Sequence, residues 1–130
     1  ATRARSGMGA PVGIDKVPAI AIDDLNIARI DFLKADVEGF ELPLLLGAER
    51  TIKRARPLLY LEANSGPSRP ALIAFVRALD YRVFAHAVPM YRADNFRSNP
   101  VNVFENIASH NIFCVPIERP QTIKGLAELS

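Results

Sequence analysis

Four short apolar runs alternate with two segments of helical spacing, and this alternation restricts the possible folds more than any other feature of the sequence. In chain order the elements are an apolar run over 30–37, a helical segment over 41–55, an apolar run over 58–61, a helical segment over 72–79, and apolar runs over 82–88 and 111–117. A strand, a helix and a second strand in succession give parallel strands joined by a right-handed crossover. Two such units predict an α/β fold with a mostly parallel sheet.

The first helical segment has a well-defined apolar face. Leu45, Ala48, Ile52 and Ala55 recur at spacings of three and four residues, which places them on one side of a helix. Gly47 lies inside the segment and costs about 1 kcal/mol relative to alanine. We expect one helix over 41–55.

The length of 130 residues supports one compact domain at most. Residues 1–17 are rich in glycine and arginine with little apolar periodicity, and we interpret them as a tail or a connection to a missing N-terminal half. The domain is predicted over 18–119, followed by a C-terminal tail over 120–130.

Composition argues against several classes of protein. The net charge is only +2 and the arginines are dispersed, so we expect no nucleic-acid partner. The longest apolar run, over 42–48, is far shorter than the roughly 20 residues that cross a bilayer, so we expect no membrane span. The single cysteine, Cys114, indicates a reducing compartment and therefore a cytoplasmic protein.

Polar side chains follow three of the predicted strands. Asp36 and Glu38 end the first, Glu62 and Asn64 end the second, and His86 lies near the end of the third. Ligands of open parallel sheets bind beyond the carboxyl ends of the strands, so we expect these side chains to converge in one crevice.

Each of these residues also has a purely structural interpretation. Glu38 lies where the dipole of a following helix stabilises an acid by about 0.3 to 1 kcal/mol. Glu62 follows four apolar residues and needs a partner, because an unpaired buried carboxylate is costly. For His86 a structural role and a catalytic role remain equally open.

A long connection over 89–110 separates the last two predicted strands. Loops of this length in compact domains are usually functional or disordered. Asn95 lies in it together with Tyr91, Phe96 and Phe104, and this density of aromatic side chains favours an ordered loop.

Three blocks of sequence carry a resemblance to a known family. They are Asp-Phe-Leu-Lys-Ala-Asp-Val-Glu-Gly-Phe-Glu over 31–41, Leu-Leu-Gly-Ala over 45–48, and Arg-Pro-Leu-Leu-Tyr-Leu-Glu over 56–62. Together they are similar to the FkbM family of S-adenosylmethionine-dependent methyltransferases. The resemblance covers about 17–118. It implies the C-terminal half of a Rossmann-like class I methyltransferase domain that lacks the N-terminal cofactor-binding strands.

The resemblance also implies roles for the strand-end residues. S-adenosylmethionine is the implied cofactor, with Asp36 near its methionine portion. Glu38 and His86 become the catalytic candidates, with His86 as the general base. Glu62, Asn64 and Asn95 become substrate-binding candidates for a small-molecule or glycan acceptor that is methylated on a hydroxyl group.

Alternatives stay open at this point. Asp36, Glu62 and Asn64 could instead hold a Mg²⁺-like ion that assists the reaction, although the main interpretation contains no metal. The chain could also be a non-catalytic binding or assembly module that kept the fold and lost the cofactor site. Because a missing half leaves a sheet edge exposed, a homo-oligomer formed through that edge is possible.

Overall fold

A computed structural model describes residues 16–120 and 123–130, so most of the predicted tail over 1–17 lies outside the described residues. A 3₁₀ helix (Ile22–Leu25) comes first. The other elements, in chain order, are β1 (Phe32–Ala35), α1 (Glu41–Leu46), α2 (Glu49–Ala55), β2 (Leu58–Glu62), α3 (Ser68–Ala78), β3 (Tyr81–Pro89), β4 (Ala108–Pro116) and β5 (Ala127–Glu128). The predicted α/β class is confirmed. The sequence analysis did not predict β5, which pairs with β3.

The strands form one sheet in the order β1-β2-β4-β3-β5. β1 and β2 are parallel, whereas the pairs β2–β4, β3–β4 and β3–β5 are antiparallel. The prediction of a mostly parallel sheet was therefore wrong. The physical reason is the position of β4. This strand follows the loop over 90–107 and inserts between β2 and β3, where it is antiparallel to both. β1, β2 and β3 still point in one direction, as the two crossovers require.

The single helix predicted over 41–55 is divided into α1 and α2 at Gly47 and Ala48. The 3₁₀ helix packs against this division. The amide of Asp23 donates to the carbonyl of Gly47 at 2.9 Å, and a Cβ at Gly47 would lie only 3.3 Å from the Cβ of Ala21. The predicted apolar face survives the break, because Leu45, Ala48 and Ile52 are completely buried.

The helices cover one face of the sheet. Strand side chains of this helix-covered face include Leu33, Leu59, Leu61, Val83, Ile112 and Cys114, and they form one core with Leu45, Ile52, Leu72 and Val76 of the helices. Successive strand residues point to opposite faces. The opposite, helix-free face therefore carries Phe32, Lys34, Tyr60, Glu62, His86, Asn111 and Phe113, none of which belongs to that core within the described ranges.

The longest helix among the described residues is α3, which spans Ser68–Ala78. No described helix has the length and apolar character needed to cross a membrane.

Candidate functional site

A cleft of about 210 Å³ opens at the carboxyl ends of β1 and β2, beside the first turn of α3. Its lining consists of Glu38, Gly39, Glu41, Glu62, Ala63, Asn64, Ser68, Arg69 and Leu72. Glu38, Glu62 and Asn64 were predicted to converge, and the structure places all three in this cleft. They meet because β1 and β2 are adjacent and parallel, so both chains leave the sheet at the same edge.

The turn after β1 is held in an unusual backbone conformation. Glu38 and Gly39 have φ values of 53° and 93°, both in the left-handed region. A non-glycine residue seldom adopts this region, and strained backbone of this kind concentrates at functional sites. The turn fixes where the Glu38 side chain leaves the backbone.

Glu41 holds this turn from the start of α1. Its carboxylate oxygen Oε1 accepts hydrogen bonds from the backbone N–H groups of Val37 at 3.1 Å and Gly39 at 3.3 Å. The side chain is buried, with 6% of the residue exposed. The sequence analysis did not select Glu41 as a site residue. The signal was available, because an acid two residues after a turn glycine and at a helix start can reach back to the turn amides.

Glu62 has a hydrogen-bond partner, as expected for a carboxylate that follows an apolar strand. The side-chain amide of Asn64 donates to Glu62 Oε1 at 2.8 Å. Burial raises the pKa of Glu62, the bond from Asn64 opposes this, and the negative charges of Asp36, Glu38 and Glu41 raise the pKa further. Three other acids therefore lie close enough to Glu62 for their charges to act on it.

Asp36 lies next to the cleft and does not line it. Its carboxylate is half exposed and pairs with Lys34 Nζ at 3.2 Å. Its charge nevertheless acts on Glu62, so the structure brings Asp36 into the same electrostatic environment as the cleft acids.

His86 lies outside the cleft, on the helix-free face. Asn111 of β4 is the cross-strand partner of both Glu62 on one side and His86 on the other. Two strand spacings separate the backbones of Glu62 and His86, which is about 10 Å. The imidazole Nδ1 of His86 lies 2.9 Å from the hydroxyl of Tyr60. The structure thus places His86 on the same face as Glu62 and separates it from the cleft by one strand.

Asn95 lies in the loop over 90–107, and its amide is engaged within that loop. It donates to the carbonyls of Arg92 and Asn99, each at 2.9 Å, and its oxygen accepts from the amide of Asn99 at 3.0 Å. These bonds give the loop local order. A contact between Asn95 and a substrate remains a prediction.

Within residues 16–120 and 123–130, no group of three or more His, Cys, Asp or Glu side chains could hold a metal ion. Magnesium bound by Asp36, Glu62 and Asn64 therefore stays a prediction. Cys114 is fully buried, and burial raises the pKa of its thiol well above the ordinary value, which leaves it unreactive.

Comparison with known proteins adds one finding. A family model described as "Methyltransferase FkbM domain" matches residues 2–83. The matched span contains every residue that lines the cleft, whereas His86 and Asn95 lie beyond it. No curated protein and no solved structure matches the chain significantly.

Proposed function

This chain belongs to the FkbM methyltransferase family, and on that premise we propose that it uses S-adenosylmethionine to methylate a hydroxyl group of a small-molecule or glycan acceptor. One observation carries the proposal. The polar cleft at the carboxyl ends of β1 and β2 is lined entirely by residues of the family-matched span, at the position where open α/β sheets bind ligands.

The charges of the site suit the methionine portion of S-adenosylmethionine, which is cationic at its amino group and at its sulfur. Asp36 would hold that portion, and Glu38 and Glu62 add negative charge nearby. The cleft measures about 210 Å³, below the roughly 300 to 1,000 Å³ of complete small-molecule pockets. The residues therefore fit part of the cofactor. When bound, it supplies an electrophilic methyl group.

The residues at the cleft would orient the acceptor for an in-line displacement. Glu38 would orient the acceptor, and Glu62 with Asn64 would bind its polar groups inside the cleft. The carboxylate of Glu62 accepts a hydrogen bond from Asn64, which fixes its direction before an acceptor arrives. This preorganisation lowers the cost of holding the acceptor in the reactive position.

His86 would act as the general base by removing the proton from the acceptor hydroxyl. Asn111 separates His86 from Glu62 on the helix-free face, so the acceptor would extend from the cleft across Asn111 toward the imidazole. The loop over 90–107 follows β3 directly and would close over the acceptor, bringing Asn95 to it.

We further propose that the sheet is the C-terminal part of a Rossmann-like class I domain. The support is the outer edge of β1, which pairs with no other strand within the described residues. Strands of an upstream segment would pair there and complete the cofactor site, so this chain would be a fragment of a larger enzyme. A second copy of the chain pairing at the same edge is the alternative, and sedimentation distinguishes a monomer from a dimer. The free, buried thiol of Cys114 supports a reducing, cytoplasmic location.

Two variants of matched chemistry test the function. Asp36 pairs with Lys34 two residues earlier, and Asp31 pairs with Arg29 in the same way at the other end of β1. We expect Asp36→Asn to weaken S-adenosylmethionine binding at least about tenfold, by losing a charge contact, and Asp31→Asn to leave it unchanged. Calorimetry measures binding, and transfer of a labelled methyl group to a panel of sugars and alcohols measures activity.

The outcomes distinguish a methyltransferase from a non-catalytic binding module. Binding and transfer that Asp36→Asn reduces and Asp31→Asn does not would support the enzyme. Equal effects of the two variants would contradict the assigned site. Absence of both binding and transfer, also in a longer protein that supplies the upstream strands, would favour the non-catalytic binding module.

A further inference from the structure

Tyr60 and His86 are joined across a strand that lies between them. Tyr60 belongs to β2 and His86 to β3, and β4 separates the two. The Tyr60 hydroxyl lies 2.9 Å from His86 Nδ1. The rings meet edge to face, with centroids 5.8 Å apart and planes inclined by 65°. The two side chains therefore meet over β4, on the helix-free face.

Asn111, the cross-strand partner of His86, does not compete for this bond. Its side-chain amide donates to Ser109 Oγ at 3.0 Å. Within the described ranges, the Tyr60 hydroxyl makes the one side-chain hydrogen bond that reaches His86. The Tyr60 hydroxyl therefore fixes the orientation of the imidazole, and the nitrogen that carries the proton follows from whether this hydroxyl donates to Nδ1 or accepts from it.

The chemistry of imidazole decides what this bond permits. A neutral imidazole has one N–H donor and one acceptor nitrogen. A base that removes a proton through Nε2 needs a lone pair on that atom, which requires the proton on Nδ1. Nδ1–H must then donate to the Tyr60 oxygen. Tyr60 is partly buried, and in this arrangement its own hydroxyl proton points away from His86.

We propose that Tyr60 is a positioning residue that holds His86 in the Nδ1–H tautomer and leaves Nε2 free to receive the proton of the acceptor. The inference rests on the proposed function, in which His86 is the base. It assigns Tyr60 a role like that of the group that orients the imidazole in nucleophile–base–orienter arrangements. It also explains why a residue outside the cleft is hydrogen-bonded to an aromatic side chain of β2, a strand that ends at the cleft.

Nitrogen-15 NMR of the 130-residue chain tests this without an acceptor. The chain has two histidines, so His110→Gln assigns the signals of His86. At a pH where the imidazole is neutral, we expect a protonated Nδ1 and an unprotonated Nε2. Tyr60→Phe removes the hydrogen bond, and the ratio of Nδ1–H to Nε2–H should fall about fivefold. An unprotonated Nδ1 in the native chain would overturn the proposal.

Phe113→Leu is the matched control, because Phe113 is the cross-strand partner of Tyr60 on the same face. It alters ring packing and removes no hydrogen bond to His86, so the native tautomer ratio should persist. An equal change in Phe113→Leu and Tyr60→Phe would contradict a specific role for the hydroxyl. If the tautomer behaves as expected and methyl transfer is absent, the proposed function fails and the positioning of His86 stands.

Discussion

The two faces of the sheet differ in what their residues do. The helix-covered face presents Leu59, Leu61 and Ile112, all completely buried under the helices. The helix-free face presents Tyr60, Glu62 and other polar or aromatic side chains outside that core. Because side chains alternate between faces, consecutive residues of β2 serve different purposes. The core that packs against the helices lies on one face, which leaves the other face to carry polar side chains.

The largest expected effect comes from the helix-covered face. Leu61→Ala leaves a cavity among completely buried side chains, and should lower the free energy of unfolding by about 2 to 5 kcal/mol. Tyr60→Phe, the adjacent change on the helix-free face, removes one hydrogen bond and should cost about 0.5 to 1.5 kcal/mol. Urea unfolding measures both. Equal losses of unfolding free energy in the two variants would contradict the difference between the faces.

The next effect concerns the turn that separates β1 from the helices. Glu41→Ala leaves the amides of Val37 and Gly39 without their acceptor, which should cost about 1 to 3 kcal/mol in unfolding free energy. Glu41→Gln keeps an acceptor oxygen and should retain most of the stability. If Glu41→Gln destabilises as much as Glu41→Ala, the charge matters more than the hydrogen bonds.

A smaller effect on the unfolding free energy depends on pH. It concerns Asp23, which caps the start of α2, one of the helices packed on the sheet. Asp23 accepts hydrogen bonds from the amides of Thr51 at 2.8 Å and Arg50 at 3.0 Å. Burial acts to raise the pKa of Asp23, but the bonds from Thr51 and Arg50 outweigh it and lower the pKa from the ordinary 3.8 to about 2.

The sign of the pH dependence follows from this depressed pKa. The unfolded chain binds the proton more readily than the folded chain, so Asp23 stabilises the fold above the ordinary pKa of 3.8 and loses this contribution as the pH falls toward about 2. Urea unfolding between pH 2 and 7 should show this slope in the native chain and less of it in Asp23→Asn. Asp24→Asn is the control, since within residues 16–120 and 123–130 the Asp24 carboxylate bonds to the Arg50 side chain and to no amide of α2, and it should keep the slope.

Glu62 is a site residue on the helix-free face, and we expect its ionised carboxylate to lower the free energy of unfolding. Its pKa is raised, chiefly by burial, so ionisation costs the fold stability as the pH rises above the ordinary pKa of 4.5. Glu62→Gln should therefore leave the unfolding free energy at pH 7 unchanged or slightly higher, while methyl transfer falls. Thermal unfolding and the transfer assay check this together. A clear loss of stability would show that Glu62 serves the fold.

The smallest effect is expected in the loop over 90–107. Phe96 is fully exposed, so Phe96→Ser should change the unfolding free energy by less than about 0.5 kcal/mol. Urea unfolding at neutral pH is sufficient to measure it. A larger loss would mean that this aromatic ring packs against the molecule in solution.

Local sequence was sufficient to predict most of the helices and strands. It was insufficient to predict how β4 pairs. Apolar periodicity identified the runs that became β1 to β4 and the buried positions Leu45 and Ile52. It could not show that β4 inserts between β2 and β3, because strand order is decided by contacts between residues far apart in sequence. The break at Gly47 was also hidden, since it depends on packing against Ala21.

The same limit explains which parts of the site were predictable. Glu38, Glu62 and Asn64 converge because β1 and β2 are parallel neighbours, and the sequence carries that information in one strand-helix-strand unit. The bond between Tyr60 and His86 spans β4, so it could not be inferred until the position of β4 was known. The role of Glu41 was predictable from its place two residues after a turn glycine and at a helix start.

The central claim is that the carboxyl ends of β1 and β2 bind the methionine portion of S-adenosylmethionine. Titration of the nitrogen-15-labelled chain with S-adenosylmethionine tests it most directly, since each backbone amide reports on its surroundings. We expect the amides of 36–41 and 62–64 to shift, with little change in the core strand residues Leu59 and Val83. Shifts confined to other regions, such as the groove lined by Ile73 and Leu129, or no shifts at millimolar concentration, would contradict the claim.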